Sequence, residues 1–321
     1  MRDIAIITGI SGQDGAFLAD LLFKKNYKIV GLAPVITNKE LWRLEYLGVK
    51  DKLIIIRGDV TDNNLIGRLL KRYQPDEFYN LAGQSSVAKS WEEQELTFKI
   101  NSISVVNILR LIKKYSPHTK FFQCSSAEMY GDSREVITEN GLRFKPLNPY
   151  GKSKLLAYLA VKKFREEHGL FACNGILFNH ESPFKNDFAV SKKIIRGVAR
   201  IVVGLDKKIV LGNLNAKRDW GYAGDFVRAM WLVLQQKEPS DFVICTGRSN
   251  SIKEFLAETF KQVGVKKWRQ FVKIDKGLFR RAEVKNMRGC PRKAVKILGW
   301  KPKINFKQLI KLMLDYEFEH I

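Results

Sequence analysis

Ile4-Ala5-Ile6-Ile7-Thr8 is an apolar, β-branched run that leads straight into Gly9-Ile10-Ser11-Gly12-Gln13-Asp14-Gly15. The helically spaced Ala16-Phe17-Leu18-Ala19-Asp20-Leu21-Leu22 follows. Strand, glycine turn and helix in immediate succession constrain this chain more than any other feature. One glycine permits the tight turn, the second lets backbone approach a pyrophosphate, and the third lets helix and strand pack closely. The helix N-terminus presents N–H groups and partial positive charge to phosphates. A purely structural turn could use the same glycines, but the placement between strand and helix favours a dinucleotide site. Gly9, Ser11, Gly12, Gln13, Asp14 and Gly15 are its expected contacts. The G-x-x-G-x-x-G spacing is one residue wider at its start than the G-x-G-x-x-G fingerprint.

The alternation continues. Short apolar runs at Lys28–Leu32, Leu53–Ile56, Glu77–Leu81, Lys120–Ser125 and Phe171–Leu177 read as strands, with amphipathic helical segments between most of them. Strands buried on both faces are continuously apolar, as these are, which predicts a parallel sheet with helices on both sides. The expected class is α/β: a Rossmann-type doubly wound parallel sheet with a smaller mixed α/β substrate-binding lobe on the C-terminal side. The division falls at 1–180 for the dinucleotide domain and 181–321 for the lobe, with segments of the lobe returning to the sheet.

Composition removes other classes. No apolar run approaches the roughly 20 residues of a membrane helix. The N-terminus enters a strand with no export signal, which points to the cytoplasm. Cys124, Cys173, Cys245 and Cys290 are far apart, so neither a metal site nor a disulfide framework is expected. The formal charge is +23, and Lys261–Lys311 holds seventeen Lys/Arg against Asp275 and Glu283 alone. No nucleic-acid motif accompanies that excess, so it reads as a basic solvated surface. A small anionic ligand needs only a few of these charges.

The reactive chemistry centres on Tyr150-Gly151-Lys152-Ser153-Lys154. Asn148 can cap a helix here, and Pro149 suits its first turn. Tyr150 and Lys154 are four apart, on one helical face, and an ammonium nearby lowers a phenol pKa towards that of a usable base. Ser126 and Glu128 leave the end of the preceding strand, where parallel sheets bind ligands. The end of the second strand, Leu32-Ala33-Pro34-Val35-Ile36-Thr37, offers neither an acid for a ribose 2′-hydroxyl nor an arginine for a 2′-phosphate, and Arg43 is well downstream. Asp59, after the third strand, can accept from an adenine amino group or serve only its own turn.

Together these stretches resemble an extended short-chain dehydrogenase/reductase and, within it, the GDP-mannose 4,6-dehydratases. The resemblance spans nearly the whole chain. It is carried by Gly12-Gln13-Asp14-Gly15, Ser125-Ser126-Ala127-Glu128-Met129-Tyr130-Gly131, Ile176-Leu177-Phe178-Asn179-His180-Glu181-Ser182-Pro183 and Asn215-Ala216-Lys217-Arg218-Asp219-Trp220-Gly221. It implies net dehydration of a GDP-hexose: oxidation at C4, loss of water across C5/C6 and hydride return to C6. Tyr150 and Ser126 would act at the 4-hydroxyl, Glu128 at the C5 hydrogen, and Lys154 at the tyrosine and the nicotinamide ribose. It adds Val60, Leu81 and Ala82 to the cofactor contacts. Ser85, Asn179, Lys193, Leu211, Arg218, Arg280 and Glu283, with Ser126 and Glu128, become the substrate contacts. His180 is read as fixing a loop. The implied partners are the GDP-sugar and further copies of the chain, as a homodimer or homotetramer, with no nucleic acid and no membrane.

Three departures stand out. Pro34-Val35 occupies the place of the family's paired arginines, which favours NAD or mixed use over the family's NADP. Ala127 stands where a hydroxyl residue is usual. Phe184-Lys185-Asn186 replaces an arginine-rich turn, which admits a GDP-heptose or GDP-N-acetylhexosamine as substrate. The rivals are a 4-keto-sugar reductase or 4-epimerase, which needs no C5 base, and a non-enzymatic polyanion binder.

Overall fold

The computed structural model of the chain describes every residue except Met1, Arg134, Leu142, Arg280 and Arg281. Its strands are β1 (Ile4–Thr8), β2 (Lys28–Ala33), β3 (Ile54–Arg57), β4 (Glu77–Asn80), β5 (Lys120–Ser126), β6 (Ala172–Leu177), β7 (Asn179–Glu181), β8 (Ile209–Leu211), β9 (Lys217–Arg218), β10 (Trp220–Tyr222), β11 (Phe242–Ile244), β12 (Asn250–Ser251) and β13 (Val272–Ile274). Seven of them form one sheet in the order β3-β2-β1-β4-β5-β6-β11, and every pairing in it is parallel. The chain winds outward from β1 to β3, then crosses back to β4. The carboxyl ends of β1 and β4 therefore open a crevice where the winding reverses, the usual ligand position in such sheets.

Alternation along the strands builds two cores. Ile6 is in register with Phe78, and Phe78 with Phe121; Ile7 is in register with Tyr79, and Tyr79 with Phe122. Successive side chains face opposite sides. Ile6, Phe78 and Phe121 pack against α3 (Asn63–Tyr73), α6 (Ser104–Tyr115) and α7 (Pro149–His168), with α4 (Lys89–Glu92) and α5 (Gln94–Phe98) leading into α6. Ile7, Tyr79 and Phe122 pack against α1 (Gln13–Lys24) and α9 (Ala223–Leu234), with α2 (Asn38–Tyr46) at their margin. A third core joins Ile194 and Val198 of α8 (Val190–Val202) to Phe255 and Phe260 of α10 (Ile252–Gln262) and Leu309 and Met313 of α11 (Phe306–Glu319). The later chain is not wholly separate from the sheet: α9 covers one face, and β11 extends the edge in register with Gly175–Leu177. No described helix is long and apolar enough to cross a membrane.

Candidate active site

The β1–α1 turn fits a dinucleotide pyrophosphate. Gly9 sits at φ +72°, and a Cβ there would lie 2.8 Å from the Ala82 amide nitrogen; on Gly15 it would lie 2.3 Å from the Gly9 carbonyl oxygen. Both clashes are with backbone, so only glycine lets the turn close onto the end of β4, where Leu81 and Ala82 stand. The helix begins after an extended Gly12, and no side chain caps it. Its first amides are left for an anion. Val60 is buried in the core. Asp59 uses one oxygen to accept from both the amide (2.8 Å) and hydroxyl (2.7 Å) of Thr61, so it builds its own turn.

The side chains of Gln13 and Asp14 bind the 180–182 segment. Gln13 Oε1 accepts from the Ser182 hydroxyl at 2.7 Å. Asp14 meets His180 Nε2 at 2.8 Å, while His180 Nδ1 faces the Phe178 carbonyl at 2.7 Å. The His180 ring is stacked on Phe226. Burial alone would raise the Asp14 pKa, but His180 and the hydrogen bonds outweigh it and bring the carboxyl down to about 2. His180 thus fixes the loop to α1, with a partner that no sequence signal named. Arg43 joins the same junction: it folds back from α2 to donate to the Ser11 carbonyl at 3.2 Å and the Phe184 carbonyl at 3.0 Å.

The reactive side chains converge at the ends of β5 and α7. Ser126 ends β5, and its hydroxyl accepts from the Glu128 amide at 3.2 Å. Asn148 caps α7 through its Oδ1, which accepts from the Gly151 amide at 2.7 Å; its Nδ2 donates to Glu128 Oε2 at 3.1 Å. A Cβ on Gly151 would lie 2.6 Å from the Glu128 carbonyl oxygen, so glycine lets the helix start press against the Glu128 turn. One asparagine therefore couples the carboxylate to the helix that carries Tyr150. Ala127 is buried among Met129 and Tyr130.

Burial is the largest influence on Tyr150. It drives the phenol pKa above its ordinary value; nearby Cys124 pushes the same way, and a hydrogen bond from Ser126 opposes. This corrects the expected depression by Lys154. The ammonium is 5.8 Å from the tyrosine ring centroid and donates to the Cys124 carbonyl at 2.8 Å. Asn101, unmarked in the sequence, sits in the π-helical segment Lys99–Ile103. It accepts from the Gln84 amide at 2.9 Å and donates to Ser153 Oγ at 3.1 Å, pinning the strand-end stretch with exposed Ser85 to α7.

In the later chain Arg218 is buried and donates to the carbonyls of Lys217 and Val284 at 2.9 and 2.7 Å. Glu283, adjacent to Val284, accepts from Asn213 at 2.5 Å. Asn179 pairs with Trp220 through β7 and β10. Arg218, Glu283 and the 211–215 turn are thus gathered. The Leu211 side chain lies in the third core, and its carbonyl accepts from the Asp275 amide at 2.8 Å. Lys193 is exposed on α8, whereas Lys192 beside it is buried on Glu317 at 2.6 Å. Arg280 lies outside the described residues. Asp219, not singled out in the sequence, accepts from the Thr246 and Gly247 amides at 2.8 Å each and ties β9–β10 to the sheet edge. Burial raises its pKa to about 6.

A glycine turn at the switch point, with serine, tyrosine and lysine at the ends of β5 and α7, defines an extended short-chain dehydrogenase/reductase. The model of the family described as GDP-mannose 4,6 dehydratase matches residues 6–313. The chain is 42% identical to GDP-mannose 4,6 dehydratase 1 of Arabidopsis thaliana, covering 99% of this chain and 90% of the relative. It is 37% identical to the GDP-mannose 4,6 dehydratase of Homo sapiens, covering 99% and 92%. In fold it is similar to dTDP-glucose 4,6-dehydratase from Bacillus anthracis in complex with NAD, with a TM-score of 0.87 at 19% identity, covering 99% of this chain and 97% of that one. It is also similar to RMD from Pseudomonas aeruginosa complexed with NADPH, with a TM-score of 0.83 at 24% identity and both chains fully covered. The chain belongs to the GDP-mannose 4,6 dehydratase family.

Proposed function

We propose that this chain is a nucleotide-sugar 4,6-dehydratase acting on GDP-mannose, with a nicotinamide dinucleotide on the β1–α1 turn. The observation that carries the reading is Glu128. It stands two residues beyond Ser126 and is held through Asn148 to the start of the Tyr150 helix. A reductase or epimerase needs the tyrosine and serine but has no use for a carboxylate aimed at the sugar.

The glycine turn, Leu81, Ala82, Tyr150 and Lys154 would hold the dinucleotide. When bound, it supplies a hydride acceptor that later returns the hydride, so it is regenerated. Burial favours the neutral phenol, so Tyr150 would take the proton of the sugar 4-hydroxyl only once ionised, a state that the Ser126 hydrogen bond favours and the positive charge of a bound nicotinamide would favour; Ser126 would also hydrogen-bond the sugar oxygen. A ketone at C4 acidifies the C5 hydrogen, which Glu128 removes as base. The C6 hydroxyl leaves as water with the proton that Glu128 has taken from C5; completing the 6-deoxy sugar then needs a hydride at C6 and a proton at C5, the latter balanced by the one Tyr150 took from the 4-hydroxyl. Arg218 and Glu283, gathered with the 211–215 turn, and Asn179, in register with Trp220, are candidates for the GDP moiety; a guanidinium suits a diphosphate. Leu156 and Leu159 lie exposed on α7 and Ile103 is exposed on the adjoining π-helical segment, an apolar face that supports self-association as a dimer or tetramer.

The test is incubation with GDP-mannose and mass analysis of the product. Loss of one water without stoichiometric consumption of reduced nicotinamide is expected. Consumption of one reduced nicotinamide per sugar refutes the reading in favour of a reductase.

A further inference from the structure

β3 ends the seven-stranded sheet on one side, and no described strand pairs with its outer edge. The Gly58 amide donates to the Ala33 carbonyl at 2.9 Å, and Ala33 is in register with Arg57. Backbone groups along a strand alternate between its two edges. Ile54, Ile56 and Gly58 therefore bond towards β2, while the N–H and C=O of Ile55 and Arg57 point outwards. An open edge of this kind is a template for a further strand. Beside it lies a groove of about 530 Å³, lined by Ile56 of β3 and by Leu65, Arg68, Leu69, Lys71 and Arg72 of α3. The leucines and Ile56 are buried or half-buried, and the three cations are exposed.

The charge around this groove has one sign. Residues 63–75 and 104–120, which hold α3 and α6, contain no acid. Arg57, Arg68, Lys71, Arg72, Arg110, Lys113 and Lys114 are all exposed. None of them forms an ion pair among the described residues. The nearby acids have other work: Asp59 accepts from Thr61, Asp62 caps α3 through the Leu65 amide, and Asp76 accepts from the Ile4 amide. Such a face attracts an anionic partner.

What lies between the charges says which partner. Both local tyrosine rings already carry cations: Lys71 and Lys114 stand 4.2 and 5.2 Å from the Tyr115 centroid, Arg72 and Lys28 5.3 and 5.6 Å from that of Tyr73. They are not free platforms for stacking bases. A nucleic acid brings phosphates, but neither a backbone ladder for Ile55 and Arg57 nor aliphatic side chains for Ile56, Leu65 and Leu69. An extended polypeptide brings both. We propose that the β3 edge and the α3 groove form a docking site for an acidic segment of another protein, which adds to the sheet as a strand beyond β3. Its apolar centre would cover Ile56 and the leucines, and its flanking carboxylates would meet the arginines. The proposal does not rest on the dehydratase reading.

The experiment follows the fluorescence anisotropy of a labelled, end-blocked peptide, Val-Ile-Val flanked by a pair of glutamates on each side, as the full chain is added at about 0.1 M salt. Saturable binding is expected, weakened at least about tenfold in the double variant Arg68→Ala, Arg72→Ala. Arg57→Pro and Arg57→Ala lose the same cation, but only proline also loses the outward N–H, and an edge strand tolerates it. Arg57→Pro should bind at least about threefold more weakly than Arg57→Ala, the scale of one backbone hydrogen bond. Absence of saturable binding overturns the proposal, and so does an affinity indifferent to Arg68 and Arg72. Equal affinities of Arg57→Pro and Arg57→Ala overturn it as well, since no strand is then added. A labelled DNA duplex bound more tightly than the peptide, through the same arginines, overturns it in favour of nucleic acid. Should Arg57→Pro fail to fold, the peptide N-methylated at alternate amides replaces it: binding at least about threefold weaker is expected, and undiminished binding in both methylation registers overturns the proposal.

Discussion

Asn148→Asp separates two jobs that one side chain performs. The cap on α7 needs an acceptor, and aspartate caps as well as asparagine. The hold on Glu128 needs a donor, which aspartate lacks when ionised. The cap's own contribution should therefore stay within about 0.5 kcal/mol, since the acceptor persists and a negative charge at a helix start is itself favourable, so that any larger loss of stability reports the Glu128 contact. At the carboxylate the result differs. A charge-assisted hydrogen bond of about 1.5–3 kcal/mol is lost. Replacing the 3.1 Å contact between Asn148 Nδ2 and Glu128 Oε2 puts two carboxylates within about 4 Å, worth up to roughly 4 kcal/mol of repulsion in a partly screened site. The pair will swing apart or share a proton, and either removes a correctly aimed, ionised Glu128. Elimination should slow by at least about tenfold, and by up to roughly 150-fold, while the Tyr150 step at C4 continues. The assay is stopped-flow absorbance of reduced nicotinamide on adding GDP-mannose, with product mass in parallel. Reduced nicotinamide should accumulate in Asn148→Asp, as in Glu128→Gln, and not in wild type. Wild-type dehydration by Asn148→Asp at neutral pH, with no such accumulation, would refute the claim that Asn148 positions the base.

Gly15→Ala places a Cβ 2.3 Å from the Gly9 carbonyl oxygen, so backbone must move; a loss of about 3 kcal/mol or more in urea unfolding, with loss of nucleotide binding, is expected. Gly48→Ala is the control, because Gly48 sits at φ +65° with nothing within 4 Å of its Cβ; it should cost only about 1–2 kcal/mol and spare binding. Asp14 governs acid stability: its folded pKa of about 2 lies below the ordinary 3.8, so its contribution is whole above about pH 4 and is lost as pH falls through about 2. That contribution is on the order of 2 kcal/mol. Thermal melts from pH 5 to pH 2 should show a steeper decline for wild type than for Asp14→Asn, and parallel declines would refute the His180 pairing.

The sequence by itself determined the elements and their chemistry. Continuous apolar runs specified buried parallel strands because both faces of such a sheet are covered. The spacing of Gly9, Gly12 and Gly15 specified a phosphate turn because only glycine tolerates those approaches, and Tyr150 with Lys154 shared a helical face through the 3.6-residue period of the helix backbone. Asn148 was legible as a cap for the same local reason. The tertiary structure decided what depends on contacts between distant segments. It turned Gln13 and Asp14 towards Ser182 and His180, gave Asn148 its second partner in Glu128, and placed Asn101 under the Lys154 helix. It set Leu211 in a core, and it raised the Tyr150 phenol because burial outweighs the Ser126 hydrogen bond, while Lys154 is engaged by the Cys124 carbonyl. It also returned Arg43 to Ser11, across 32 positions. None of these leaves a periodic trace, since hydrogen bonds and desolvation follow distance in space, whereas a sequence displays only distance along the chain.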